Sequence, residues 1–322
     1  VSMIRRRLSV STWIAWLLLA LVAMTALGGC GGKGAKAAQT AADLDSTPLA
    51  LLAASPIVVA SLDARAMFAD GQAGAALGTM ADSLVALPAS ADFVASRDVN
   101  HVTAGLYAAT KPDIVAVLSG RFDLAKITSV TKDKSGAPLT WTSYAGFATT
   151  ITRGAMIAPL TSKTLLAGTP DAVRASLDRI KSGTTTPALP AQTIEALKAV
   201  AVGVVADFAS QPIALASLGS IHLPWLKGLR SAHAAGDFNP PGFNASITLA
   251  YGDPGQAKSA VDGIRSVNRL VTLLGPLLGG IRVENLRATS SGDETKVQFA
   301  LSQSSLEALL GLAGQFLASS SP

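Results

Sequence analysis

Few side chains in this sequence are equipped for covalent or acid–base chemistry. There is one cysteine, Cys30, and there are three histidines, His101, His222 and His233. A lone cysteine cannot pair within its own chain. A structural zinc site of four cysteines, or of two cysteines and two histidines, is out of reach for the same reason. Ser129-Val130-Thr131-Lys132 has the spacing of a Ser-x-x-Lys nucleophile motif. Its partner elements fail: Lys163-Thr164 is followed by Leu165, not Gly, and Ser266-Val267-Asn268 comes after it in the chain instead of before. No Gly-x-Ser-x-Gly elbow, P-loop, His-Glu-x-x-His or EF-hand loop occurs. His101 and His233 open corresponding strands in two halves of the chain, so a general base or a metal pair is one reading. No carboxylate or second ligand lies at ligand spacing, and strand-end histidines facing solvent or a core hydrogen bond are the other. The expectation is a non-enzymatic protein that needs no cofactor and no metal.

Cys30 is different, because of what precedes it. Ile4-Arg5-Arg6-Arg7 is a charged opening, residues 8–27 carry no charge, and Trp13 to Met24 form a compact apolar run. A run of about 20 apolar residues could span a bilayer, but Leu27-Gly28-Gly29-Cys30 follows it. Those four residues resemble the lipobox of bacterial lipoproteins: Leu, two small residues, then Cys. Small side chains admit the extended backbone to the peptidase, and the acyl-transferring enzyme needs a nucleophilic sulfur. The resemblance covers residues 3–30. It implies cleavage between Gly29 and Cys30 and a diacylglyceryl thioether on Cys30, usually with a further amide-linked acyl chain, so that the membrane is reached through Cys30. Gly31 stands where many Gram-negative lipoproteins retained at the inner membrane have Asp. By that analogy the destination is the outer membrane in a Gram-negative cell, and otherwise the outer face of the plasma membrane.

Of the 26 basic residues, Arg5, Arg6 and Arg7 fall in the signal, and the rest are nearly matched by 21 acidic ones. No Lys/Arg stripe with interleaved aromatics follows, so nucleic acid is not an expected partner. Hydrophobic residues make up 49% of the chain and charged ones 15%, which excludes a disordered chain. Aromatics are only 5%, so the core must be built from small aliphatic side chains.

The pattern of elements divides the chain into a signal peptide (1–29), a flexible tether (30–48), a first half (49–183), a Thr/Pro-rich joint (184–191) and a second half (192–322). In the first half, strand-like runs at 57–63, 101–107 and 113–118 are followed by a helix opening at Asp123. The second half repeats this order with 202–208, a strand begun by 233–236, the alternating run 243–251 and a helix capped by Asp253-Pro254. Ala-Lys pairs at 125–126 and 257–258 add to the correspondence. Hairpins are expected across Ala145-Gly146 and across Ser291-Gly292-Asp293, and helices behind Thr169-Pro170-Asp171 and Ser304-Ser305-Leu306-Glu307. Strands clustered as hairpins with helices between them predict an α+β fold: two related halves, each an antiparallel sheet with packed helices, after an N-terminal signal helix. This layout resembles uncharacterised bacterial envelope proteins of unknown function, a resemblance of pattern that brings no activity with it.

Two apolar stretches lie where polar loops belong. One runs from Pro212 through Leu223, Pro224, Trp225 and Leu226; the other spans 270–278 and contains Leu274, Pro276 and Leu277. They could line a lipophilic pocket, pack on the membrane, seat an envelope protein, or be ordinary core. The expected function is a lipid-anchored binding or structural module of the cell envelope. The alternative is a carrier of a lipid or other apolar ligand in an apolar pocket.

Overall fold

Alternating or β-branched runs become strands, and acidic or hydroxyl caps open the helices between them. The computed structural model describes residues 40–309, except 70, 109–112, 185–188, 190–192, 195–196, 198, 210–216, 219–220, 240–241 and 276–279. Its helices are α1 (Ala41–Ser46), α2 (Ala64–Phe68), α3 (Gly71–Leu84), α4 (Ala95–Asp98), α5 (Leu124–Ser129), α6 (Pro170–Lys181) and α7 (Pro254–Leu274). In the first half the strands are β1 (Val58–Asp63), β2 (Val99–Ala108), β3 (Asp113–Gly120), β4 (Thr142–Tyr144), β5 (Phe147–Thr152), β6 (Ala155–Pro159) and β7 (Thr164–Gly168). In the second half they are β8 (Val202–Asp207), β9 (Ser217–Leu218), β10 (Ile221–His222), β11 (Leu229–Asn239), β12 (Gly242–Tyr251), β13 (Val283–Ser291) and β14 (Glu294–Ser302). The fold is α+β, with antiparallel strands and packed helices.

The two strand clusters merge into one 12-stranded sheet of order β13-β14-β12-β11-β8-β1-β2-β3-β7-β6-β5-β4. β1 and β8 join antiparallel at the centre, with Ala60 opposite Val204. From that junction, β8, β11, β12, β14 and β13 repeat the outward order of β1, β2, β3, β7 and β6. The halves also share a core: Leu197 and Val205 pack with Val59, Val117, Leu166 and Leu177.

Local details follow from the turns and caps. Tyr144 faces Phe147 across Ala145 (φ 55°) and Gly146 (φ 95°), the two positive dihedrals that a two-residue hairpin turn requires. Thr169 precedes α6 but does not cap it with its side chain. Its hydroxyl donates to Asp113 and accepts from the Ile114 N–H, tying the helix start to β3. The C-terminal helical segment begins at 303, earlier than the Ser304–Glu307 pattern suggests, because the Ser302 hydroxyl accepts from the Ser305 N–H.

Part of the expected tether is folded. Thr40 and Asp43 form a reciprocal capping box on α1. Leu44 is buried in the shared core, and Asp45 accepts hydrogen bonds from Thr161 and Thr164. Residues 30–39 lie outside the described residues.

Candidate functional site

The sequence singled out two apolar stretches, and the structure brings the described part of both to one helix. Asp253 starts α7 by accepting from the N–H groups of Gly255 and Gln256. Small residues Ala257 and Ala260, with Val261, then let the helix lie close on the sheet, and these three are its only buried residues. Ala257 and Ala260 join Phe208, Leu229, Leu249 and Tyr251 in the second-half core. Trp225, in the short 3-10 turn Pro224–Leu226, lies over Gly263, where a Cβ would come within 2.3 Å of the indole. The glycine is there because the ring leaves no room for a side chain.

At 3.6 residues per turn, Val267, Leu270 and Leu274 continue the side of the helix on which Gly263 sits. Beyond Trp225 this stripe loses its cover. Leu270 is 54% exposed, with Val267 beside it, and Leu273, 74% exposed, lies about 60° farther round the helix, next to Arg269. The opposite arc carries Lys258, Arg265 and Arg269, all exposed, and the acid Asp262; Arg265 pairs with Asp262 at 3.9 Å and donates to the Ala288 carbonyl of β13. The helix is therefore apolar over a wider arc than the sheet covers, with basic residues along its outer flank.

Of the predicted site residues, Trp225 and Leu226 are half-buried against the second-half core, and Leu223 and Leu274 are half-buried. Gly29, Cys30, Pro276 and Leu277 lie outside the described residues. Trp225 packs on Gly263, and two cavities among the described residues lie elsewhere, at Ser129–Asp133 and at Ser61–His101. No helix of the described residues is long and apolar enough to cross a membrane.

No known family and no curated protein matches the chain. Among solved structures, crystal form I of TP0453 is similar, with a TM-score of 0.51 at 12% identity over 83% of this chain and 96% of that one. Crystal form III of TP0453 gives a TM-score of 0.53 at 10% identity over 83% and 98%. The chain shares the fold of TP0453. At that identity the likeness carries architecture, not residues.

The residues suited to chemistry are placed apart. α5 ends at Ser129, Val130 turns extended, and the Ser129 hydroxyl donates to the Lys126 carbonyl, so Lys132 does not follow Ser129 on a helix. Asp133, lining the same hollow, is committed to the turn that follows. Hydrogen bonds from the Ser135 hydroxyl, from the N–H groups of Ala137 and Ser135, and from Thr152 hold its carboxyl down to about 2. Arg97 binds Asp98 at 2.7 Å and Asp92 at 3.2 Å, and Asp92 also takes Lys126 at 2.7 Å. Burial pushes the Asp98 carboxyl up, but the Arg97 bond and the Val94 N–H leave it below the usual range. This cluster ties α4 to α5 structurally. Among the described residues no group of three His, Cys, Asp or Glu could hold a metal.

The histidines correct the sequence reading. His101 is opposite Asp63, whereas His233 is opposite Val205, within its strand and exposed. Register makes Thr103, opposite Ser61, the counterpart of His233, so the two histidines are offset by two positions. His101 instead bonds Ser61, 2.9 Å from Nε2 to Oγ, a partnership across strands that sequence alone does not reveal.

Proposed function

We propose that the protein is a lipid-anchored, non-enzymatic binding module of the bacterial cell envelope, and that α7 gives its folded body a second contact with the membrane. The observation that carries this reading is the uncovered apolar set of Val267, Leu270 and Leu273 on a helix whose outer arc is basic. A helix of this kind lies in the interface, its apolar side among acyl chains and its cations toward anionic headgroups. Fully burying a Leu side chain contributes about 1.5–3 kcal/mol. A Lys or Arg near an anionic surface adds about 1 kcal/mol. Such a contact is weak alone and effective beside an acyl anchor. The ten residues from Cys30 to Gln39 reach about 35 Å at most, so the anchor keeps the body close to the surface.

Fractionation of cells expressing the parent, Cys30→Ser, and Cys30→Ser combined with Leu270→Ser and Leu273→Ser tests the two contacts separately. The parent is expected wholly with membranes. Cys30→Ser releases the chain or leaves it unprocessed, and among chains that have lost residues 1–29 the single variant is expected divided between fractions and the triple variant soluble. Cleavage before residue 30 and full membrane retention in the single variant would overturn the role of Cys30. Equal division of the single and triple variants would overturn the role of α7.

A further inference from the structure

A cavity of about 210 Å³ opens on the sheet face opposite to α7, under the N-terminal segment. Its walls include Thr47 and Leu49 from that segment and Ile194 from the start of the second half; its floor is Ser61, His101 and Thr103. Ser61 and Thr103 face each other across β1 and β2, each only 2% exposed. Ser61 is matched by His101. Thr103 is not: among the described residues its hydroxyl has no hydrogen-bond partner, although it lies on the cavity wall. The hydroxyl is open to the cavity, so its match is left to whatever fills that space, water included.

The lining also says what kind of molecule fits. Among the described residues it holds hydroxyls, one imidazole and apolar side chains, with no Lys or Arg to receive an anion. Burial pushes the His101 imidazole below its usual range, against the opposing pull of Asp63, so the ring is neutral at pH 7. A desolvated charge would find no partner among these described residues. The volume admits about seven waters at about 30 Å³ each. We propose that the cavity binds a small uncharged polyol of monosaccharide size, hydrogen-bonded by Thr103, Ser61 and His101, with its C–H edge against Leu49 and Ile194. The second half has no equivalent, because Val205 and the exposed His233 take the places of Ser61 and Thr103. The site is independent of α7, so either proposal can fail without the other.

The test is an NMR titration of the His101 ring resonances in the full mature chain with three probes of one ring size: glucose, glucuronate and glucosamine. Glucose is expected to give a saturable shift. Thr103→Val, nearly isosteric, is expected to weaken it about tenfold, the cost of one hydrogen bond. Thr103→Ser, which keeps the hydroxyl, restores it, and Ser61→Ala gives a second reading if Thr103→Val does not fold. The proposal is overturned by the absence of saturation with glucose. It is equally overturned by tighter binding of either charged sugar, or by undiminished binding in a folded Thr103→Val or Ser61→Ala protein.

Discussion

In the first half, β1, β2, β3 and β7 lie between two layers. Leu44, Leu51 and Leu177 cover one face, and Ala64, Phe122 and Ile127 the other. In the second half, β11, β12 and β14 have α7 on one face, while His233, Ser246, Lys296 and Gln298 stand exposed on the other. The corresponding helices differ in the same sense. α5 is six residues long and followed by the β4–β5 hairpin, which extends the sheet; α7 runs to 21 residues and outreaches its cover. One arrangement of strands thus carries two designs: a half filled on both sides, with a mostly apolar cavity floored by Ser61, His101 and Thr103, and a thinner half that keeps apolar side chains available for contact.

Substitutions can break this comparison or sharpen it. The largest effect belongs to the filled half: Leu177, wholly buried, should cost about 2–5 kcal/mol of unfolding free energy as Leu177→Ala. Leu270→Ala on the other half should change stability by less than about 0.5 kcal/mol. Similar costs in denaturant titrations of the two variants would mean that the α7 stripe is covered after all. Next comes Gly263→Ala, which drives a methyl into the Trp225 ring and should cost about 1–3 kcal/mol. Restoration of stability by adding Trp225→Ala in a double-mutant cycle would confirm the contact, and additive losses would refute it.

Two smaller effects depend on pH. The folded His101 binds its proton less readily than the ordinary value of 6.5, so the unfolded chain takes up protons first. The stability that this gives is complete above pH 6.5 and declines as the pH falls below it. His101→Gln should flatten that part of a melting-temperature profile. Asp133 acts lower: its contribution is present above its ordinary value of 3.8 and is lost as the pH falls through about 2. Asp133→Asn should remove this acid slope and leave the profile above pH 5 parallel to the parent's.

Much of the architecture could be read from local pattern. The alternation of 243–251, the Asp253-Pro254 cap and the Ala145-Gly146 turn each sit within a few residues and gave β12, α7 and the β4–β5 hairpin. What depends on partners far away in the chain could not be read. Nothing in Val58–Asp63 or Val202–Asp207 announces that they pair and fuse the halves into one sheet. α1 looked like tether because Ala41–Ser46 offers a single large apolar side chain, Leu44, and only the assembled core shows where it goes. The same holds for sites. The apolar character around Trp225 and Leu274 was visible, but that Val267, Leu270 and Leu273 are the exposed members followed from the sheet's limited reach. The Ser61–His101 bond required the register of β1 on β2, and a two-residue error in that register paired the wrong histidines.

The claim that α7 is a membrane contact is tested most directly by placing a nitroxide at Leu273→Cys in the Cys30→Ser chain. A second label at Thr289→Cys, on the open sheet face, serves as the comparison. With vesicles containing anionic phosphatidylglycerol, the account predicts that the probe at 273 becomes accessible to oxygen dissolved in the lipid and shielded from a water-soluble nickel complex. The probe at 289 should stay in water. Two probes that both remain water-exposed at saturating lipid would contradict it.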